Sequence, residues 1–79
     1  MKILFFAAVA DHTNCREFVW NPANEISVDE LWQELEQRFP GMDSWRATCR
    51  LAVNHEYHES GQCISPDAEV GLIPPVSGG

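Results

Sequence analysis

The fold turns on the stretch Ser27-Val28-Asp29-Glu30-Leu31-Trp32-Gln33-Glu34-Leu35-Glu36-Gln37-Arg38-Phe39-Pro40-Gly41. Ser27 and Glu30 have the spacing of a capping box: the serine hydroxyl accepts from the N–H three residues on, and the carboxylate accepts from the cap residue's own N–H. Asp29 and Glu30 suit the positive end of a helix dipole. Val28, Leu31, Trp32, Leu35 and Phe39 recur on a 3.6-residue period and make one apolar stripe, while Glu34, Gln37 and Arg38 fall on other faces. Pro40-Gly41 ends the pattern. The result is a one-sided helix whose polar face is acidic, so it is built to lie on a sheet and not on a membrane surface.

The flanking segments supply that sheet. Lys2 to Val9 is apolar and reads as a buried strand, followed by a polar turn at Asp11 to Asn14. Glu17 to Trp20 suits a short second strand, stopped by Asn21-Pro22 and paired with the first as an antiparallel hairpin. Arg50 to Val53 is a third strand, Asn54-His55-Glu56 a turn, and Tyr57 the start of a short segment. Glu69 to Ile73 is the last strand and runs into Pro74-Pro75. The first and last strands are the most apolar and belong in the middle of a mixed sheet. The order β-β-α-β-(β)-β predicts an α+β, two-layer domain of the ubiquitin-like β-grasp plan, with one main helix on one face of the sheet. Its expected extent is residues 1–75, with residues 76–79 as an extended tail.

Size and charge bound the function. A chain of 79 residues holds one domain with a small core. No apolar run approaches the roughly 20 residues that cross a bilayer, and Asp11 and His12 cut short the apolar start. The net charge of −7 argues against nucleic acid and favours a partner with a basic docking face. Cys15, Cys49 and Cys63 are odd in number and widely spaced, which reads as reduced thiols in a cytoplasmic protein. No glycine-rich phosphate loop is present, so any ATP chemistry belongs to a partner. No metal site is expected. His55 and His58, three apart on a strand-turn segment, do not share a face, and His12 with Cys15 has no second ligand pair. Trp20, Trp32 and Trp45 read as core or half-buried aromatics.

The C-terminus is the unusual element. Pro74-Pro75 ends strand pairing and stiffens the exit. Val76-Ser77-Gly78-Gly79 then offers a tip without side chains, able to thread a channel too narrow for other residues. The reactive group at that tip is the α-carboxylate of Gly79. A carboxylate is inert until activated, and an acyl-adenylate formed from ATP is the natural route. From the residues alone, the chain is a carrier activated at its carboxyl end.

The block Val70-Gly71-Leu72-Ile73-Pro74-Pro75-Val76-Ser77-Gly78-Gly79 resembles the C-terminal signature of the small subunit of molybdopterin synthase. Ile3-Leu4-Phe5-Phe6-Ala7, Val28 to Phe39 with Pro40-Gly41, and Leu51-Ala52-Val53-Asn54 are similar to that family's first strand, helix and central strand, in the same order. The resemblance implies that Gly79 is adenylated by a partner similar to ubiquitin-activating enzymes. A sulfur-relay protein then converts it to a thiocarboxylate. The sulfur is delivered to cyclic pyranopterin monophosphate inside the large synthase subunit, in a heterotetramer. It also implies that this chain holds no cofactor, donates the sulfur as one subunit of a sulfurtransferase, and does not turn over alone. Gly78 would serve tail threading. Phe6, Tyr57 and Ile73, with Pro74, Pro75, Val76 and Ser77, would form the partner-binding surface, although core packing is an equal reading of Phe6 and Ile73. In two places the chain departs from the family. The segment Ala10 to Arg16 is shorter than usual, and Pro66-Asp67-Ala68 replaces a common Asp-Gly-Asp, which would strain Ala68 if that turn needs positive φ. A thiamin-type sulfur carrier, a ubiquitin-like protein modifier and a plain interaction module remain as alternatives.

Overall fold

The computed structural model describes residues 1–59 and 61–75. Val76, Ser77, Gly78 and Gly79, the expected tail, lie outside the described residues. The elements are β1 (Lys2–Phe5), α1 (Ala7–Thr13), β2 (Glu17–Val19), α2 (Val28–Arg38), a 3-10 turn (Met42–Trp45), β3 (Arg50–Val53), β4 (Glu56–Tyr57) and β5 (Glu69–Ile73). The five strands form one sheet in the order β2-β1-β5-β3-β4. β1 and β5 pair in parallel, with Ile3 opposite Val70 and Phe5 opposite Leu72, and the other pairs are antiparallel. This is the mixed sheet the sequence predicts, with the most apolar strands inside it.

The capping box closes α2 as its spacing requires. The Ser27 hydroxyl accepts from the Glu30 N–H at 3.1 Å, and the Glu30 carboxylate accepts from the Ser27 N–H at 3.0 Å. Leu31, Trp32 and Leu35 are buried, with Val28 and Phe39 packed at the margin. They share one core with Ile3, Phe5, Val70 and Leu72. Each fully buried aliphatic side chain of this kind contributes about 1.5–3 kcal/mol. Phe39 meets Phe5 and Phe18 edge-on, with ring centroids 5.4 and 5.6 Å apart. Two buried isoleucines close the core at the side. Ile26, just before α2, and Ile64, before β5, exchange backbone hydrogen bonds of 3.0 and 2.7 Å.

Three details differ from the sequence reading. The first strand ends at Phe5, and the expected strand end and turn are instead a helix, α1. Ala7 turns the chain with φ 49°, and the N–H groups of Val9 and Ala10 then bond the Phe6 carbonyl. Alanine is the best helix former, and the run Ala7-Ala8-Val9-Ala10 carries no punctuation that would have shown the break. The buried Val9 gives the helix its hold on the core, and Asn14 ends it in the left-handed region with φ 58°. Second, the short segment Met42–Trp45 is helical. Third, Ala68 carries no positive φ. Its N–H closes a turn on the Ser65 carbonyl at 3.0 Å, Pro66 sits inside that turn, and Ala68 itself is buried. The turn is rebuilt around proline without backbone strain.

The helix exit is held by Glu36. Its carboxylate accepts from the N–H groups of Gly41 and Asp43, both at 2.8 Å. His12 closes the other side through its ring Nε2 and the Pro40 carbonyl at 3.0 Å. Gly41 has φ 93°, and an added Cβ would stand 3.0 Å from the His12 ring. His12 is thus a strut between α1 and the helix exit. The Asp43 N–H, then the Gly41 N–H and the neighbouring His12, hold the Glu36 carboxyl below its ordinary pKa. A carboxyl with a depressed folded pKa stabilises fully above the usual glutamate range, and that contribution is lost as pH falls through the folded value. Glu36→Gln should therefore lower the thermal midpoint at neutral pH and flatten its decline between about pH 5 and pH 3. Melting curves followed by circular dichroism across that range check this. An acid limb identical to wild type would refute the role given to Glu36.

Candidate functional site

Strand β5 sends alternate side chains to the two sides of the sheet. Val70 and Leu72 enter the core, which leaves Glu69, Gly71 and Ile73 for the opposite side. The register carries this alternation across the sheet. Leu4 and Ala52 are opposite Gly71, Arg50 is opposite Ile73, and Tyr57 is opposite Ala52. A hollow of about 360 Å³ forms on this side, lined by Leu4, Phe6, Ala52, Gly71 and Ile73, with His55, Tyr57 and Glu69 completing it.

Phe6, Tyr57 and Ile73, named from separate parts of the sequence, thus surround one hollow. Phe6 is 45% exposed and Tyr57 63%, so neither is a core residue, and Ile73 is half-buried. Pro74 is buried and Pro75 exposed, so the chain leaves the body between them. Val76, Ser77, Gly78 and Gly79 fall outside the described residues. The hollow therefore lies at the root of the tail.

Local backbone features shape it. Phe6 is extended, and the left-handed turn at Ala7 diverts the chain immediately after it. Gly71 makes room for the ring, since a Cβ there would come within 3.2 Å of Phe6 Cε2. Asn54 and His55, with φ 53° and 71°, make the tight turn between β3 and β4 that presents Tyr57. The Asn54 side-chain oxygen accepts from the Glu69 N–H at 3.0 Å, and the Asn54 N–H donates to the Glu69 carbonyl at 2.8 Å. These bonds tie the turn to β5. His55 Nε2 lies 3.0 Å from a Glu69 carboxylate oxygen, and the Arg50 guanidinium lies 4.6 Å from the centre of the Tyr57 ring.

The sequence offers Leu4, Ala52, Glu69 and Gly71 only as strand residues and His55 only as half of a histidine pair, none of them as part of a docking face. The alternation within Glu69 to Ile73 would have found Glu69 and Gly71, because residues two apart share a face. Leu4, Ala52 and His55 needed the strand order.

The remaining candidates hold no reactive constellation. Among the described residues, no group of three or more His, Cys, Asp or Glu side chains could hold a metal ion. His58 is occupied by the Gln62 carbonyl, with its ring Nε2 at 2.8 Å from that oxygen. The three cysteines are free thiols, and burial pushes the Cys49 thiol above its usual pKa, the direction that disfavours a thiolate. No helix among the described residues is long and apolar enough to cross a membrane.

The ThiS family matches residues 3–79, which is nearly the whole chain including the diglycine end. The chain belongs to the ThiS family. Within it, the molybdopterin synthase sulfur carrier subunit of Homo sapiens is 37% identical over 82 residues, covering 100% of this chain and 93% of that protein. The subunit of the same name from Dictyostelium discoideum is 36% identical, covering 99% and 94%. The resemblance to molybdopterin synthase small subunits thus extends along the full length. Among solved structures, small archaeal modifier protein 1 of Haloferax volcanii superposes with a TM-score of 0.81 at 21% identity, covering 96% of this chain and 97% of that one. A protein–protein complex of subunits 1 and 2 of molybdopterin-converting factor from Helicobacter pylori contains a chain with a TM-score of 0.66 at 24% identity, covering 99% and 96%. These likenesses show the β-grasp fold.

The two sides of the sheet should respond differently to truncation. Leu72→Ala, on the core side, should cost about 2–5 kcal/mol. Phe6→Ala and Tyr57→Ala, on the hollow side, should each cost no more than about 1 kcal/mol. Urea unfolding of the three variants measures this, and equal losses would contradict the assignment of faces.

Proposed function

We infer that this chain is the sulfur-carrier subunit of a molybdopterin synthase. The observation that carries this reading is the apolar hollow of Phe6, Tyr57 and Ile73 at the root of a tail that ends Ser77-Gly78-Gly79. The body, residues 1–75, acts as a handle. Residues 76–79 act as the arm, with Gly78 and Gly79 entering the partner's channel. The docking surface is Phe6, Tyr57 and Ile73, continued by Pro74, Pro75, Val76 and Ser77.

The chemistry takes place at Gly79. In a partner similar to ubiquitin-activating enzymes, the carboxylate oxygen attacks the α-phosphorus of ATP and pyrophosphate leaves. A sulfur-relay protein then supplies sulfur at the sulfide level to the acyl carbon, AMP departs, and a thiocarboxylate remains. In the large synthase subunit the thiocarboxylate sulfur bonds to a carbon of cyclic pyranopterin monophosphate, water then cleaves the resulting thioester and releases Gly79 as its carboxylate, and two such deliveries build the dithiolene. This chain contributes sulfur, arm and docking face, while the catalytic basic residues belong to the large subunit. The H. pylori complex of two molybdopterin-converting subunits supports such a partner, and a synthase with two copies of each subunit is the assembly we propose. Three free thiols with no disulfide fit a reducing compartment such as the cytoplasm.

Removal of Gly79, or addition of one residue after it, should abolish sulfur transfer and leave the circular dichroism spectrum unchanged. The intact mass of the wild-type chain isolated from cells should include a species heavier by the difference between sulfur and oxygen. Purified thiocarboxylate chain, mixed with a large subunit and the pterin precursor, should yield dithiolene. Absence of product in that mixture would defeat the assignment. Isopeptide-linked ladders in cells would favour a protein modifier instead.

A further inference from the structure

Acid outnumbers base in this chain by 12 Asp and Glu to five Lys and Arg. Among the described residues, Lys2 pairs with Glu17 at 3.5 Å, Arg38 with Glu34, and Arg46 with Asp29. Arg16 and Arg50 enter no such pair among them, although carboxylates are plentiful, and of these two only Arg50 is on the sheet face that carries the hollow. It lies at the start of β3, opposite Ile73, the last residue of β5 before the diproline. Its guanidinium rests on the face of the Tyr57 ring, with Cζ 4.6 Å from the centroid. The contact with the ring leaves the N–H donors of this exposed guanidinium without a carboxylate among the described residues.

A partner that grips the tail must close over Ile73 and Pro75, and therefore over Arg50 beside them. Covering a guanidinium without supplying an anion is strongly unfavourable. We propose that Arg50 is a specificity determinant of the docking face, where it receives a carboxylate side chain of the large synthase subunit in a forked pair. This rests on the sulfur-carrier reading above. The phosphate of an adenylate at Gly79 is not the anion meant. Gly79 is six residues beyond Ile73, about 20 Å when extended, which is beyond the reach of the side chain from β3. The contact also resolves a question of orientation. A uniformly basic partner surface would attract this acidic body in many poses, and one acidic residue opposite Arg50 selects the pose that aligns the tail.

The test is calorimetric titration of the full chain into purified large subunit at low and high ionic strength. Arg50→Met keeps the stem and removes the charge. It should weaken binding about tenfold or more at low salt, with a smaller deficit at high salt. Arg50→Glu should weaken it further, and Arg50→Lys should recover part of the loss. A purely structural role in holding Tyr57 would lower affinity without changing the salt dependence. Met and wild-type chains that bind within about twofold of each other, or with equal salt slopes, overturn the proposal. If the wild-type chain fails to bind at all, the sulfur-carrier reading falls and takes the proposal with it. If wild type binds and the Met variant matches it, this proposal alone falls. Arg50 is exposed, and Arg50→Lys keeps the test valid should the Met variant fold poorly.

Discussion

Parallel pairing of β1 with β5 is the constraint on which the rest of the molecule depends. It brings the first and last strands side by side, with Lys2 opposite Glu69 and Phe5 opposite Leu72. Through that pairing, one strand serves two purposes. The buried side of β5 anchors the core through Val70 and Leu72, and its other side supplies Gly71 and Ile73 to the hollow. The tail therefore springs from the most strongly held strand of the sheet. Any pull on it is resisted by pairing on both flanks, with β1 on one side and β3 on the other.

The hollow itself is assembled from small local decisions. Ala7 leaves the strand conformation at once, so Phe6 becomes the last extended residue and remains half exposed. Gly71 has no side chain to push the Phe6 ring away. The two left-handed residues Asn54 and His55 keep the β3–β4 connection tight enough for Tyr57 to sit opposite Ala52. Each of these features shapes the hollow.

The helix, its cap and the last strand were legible because each is written in local spacing. Ser27 and Glu30 are three apart, the stripe from Val28 to Phe39 is one period, and Pro74-Pro75 ends β5. The helix α1 was not legible. The alanines of Ala7 to Ala10 favour a helix by propensity, but they continue an apolar run that begins as a strand, and the deciding fact is the burial of Val9 against a core formed by distant residues. Ala68 misled for the opposite reason, since a missing glycine suggested strain that Pro66 and Ser65 remove by forming a different turn. For the site, exposure decided matters that pattern could not. Core packing and a docking role are equal readings of Phe6 in the sequence, until the sheet shows it on the outer side. Arg50 drew no notice as a strand residue, and only its stacking on Tyr57 and its place opposite Ile73 distinguish it.

The two strands that border the sheet are very short, three residues in β2 and two in β4. A sheet margin of that length offers little unpaired backbone onto which another copy could add itself. A protein with an apolar hollow open on its surface is thereby guarded against fibril-like self-association, by the brevity of its borders as well as by the mutual repulsion of acidic molecules.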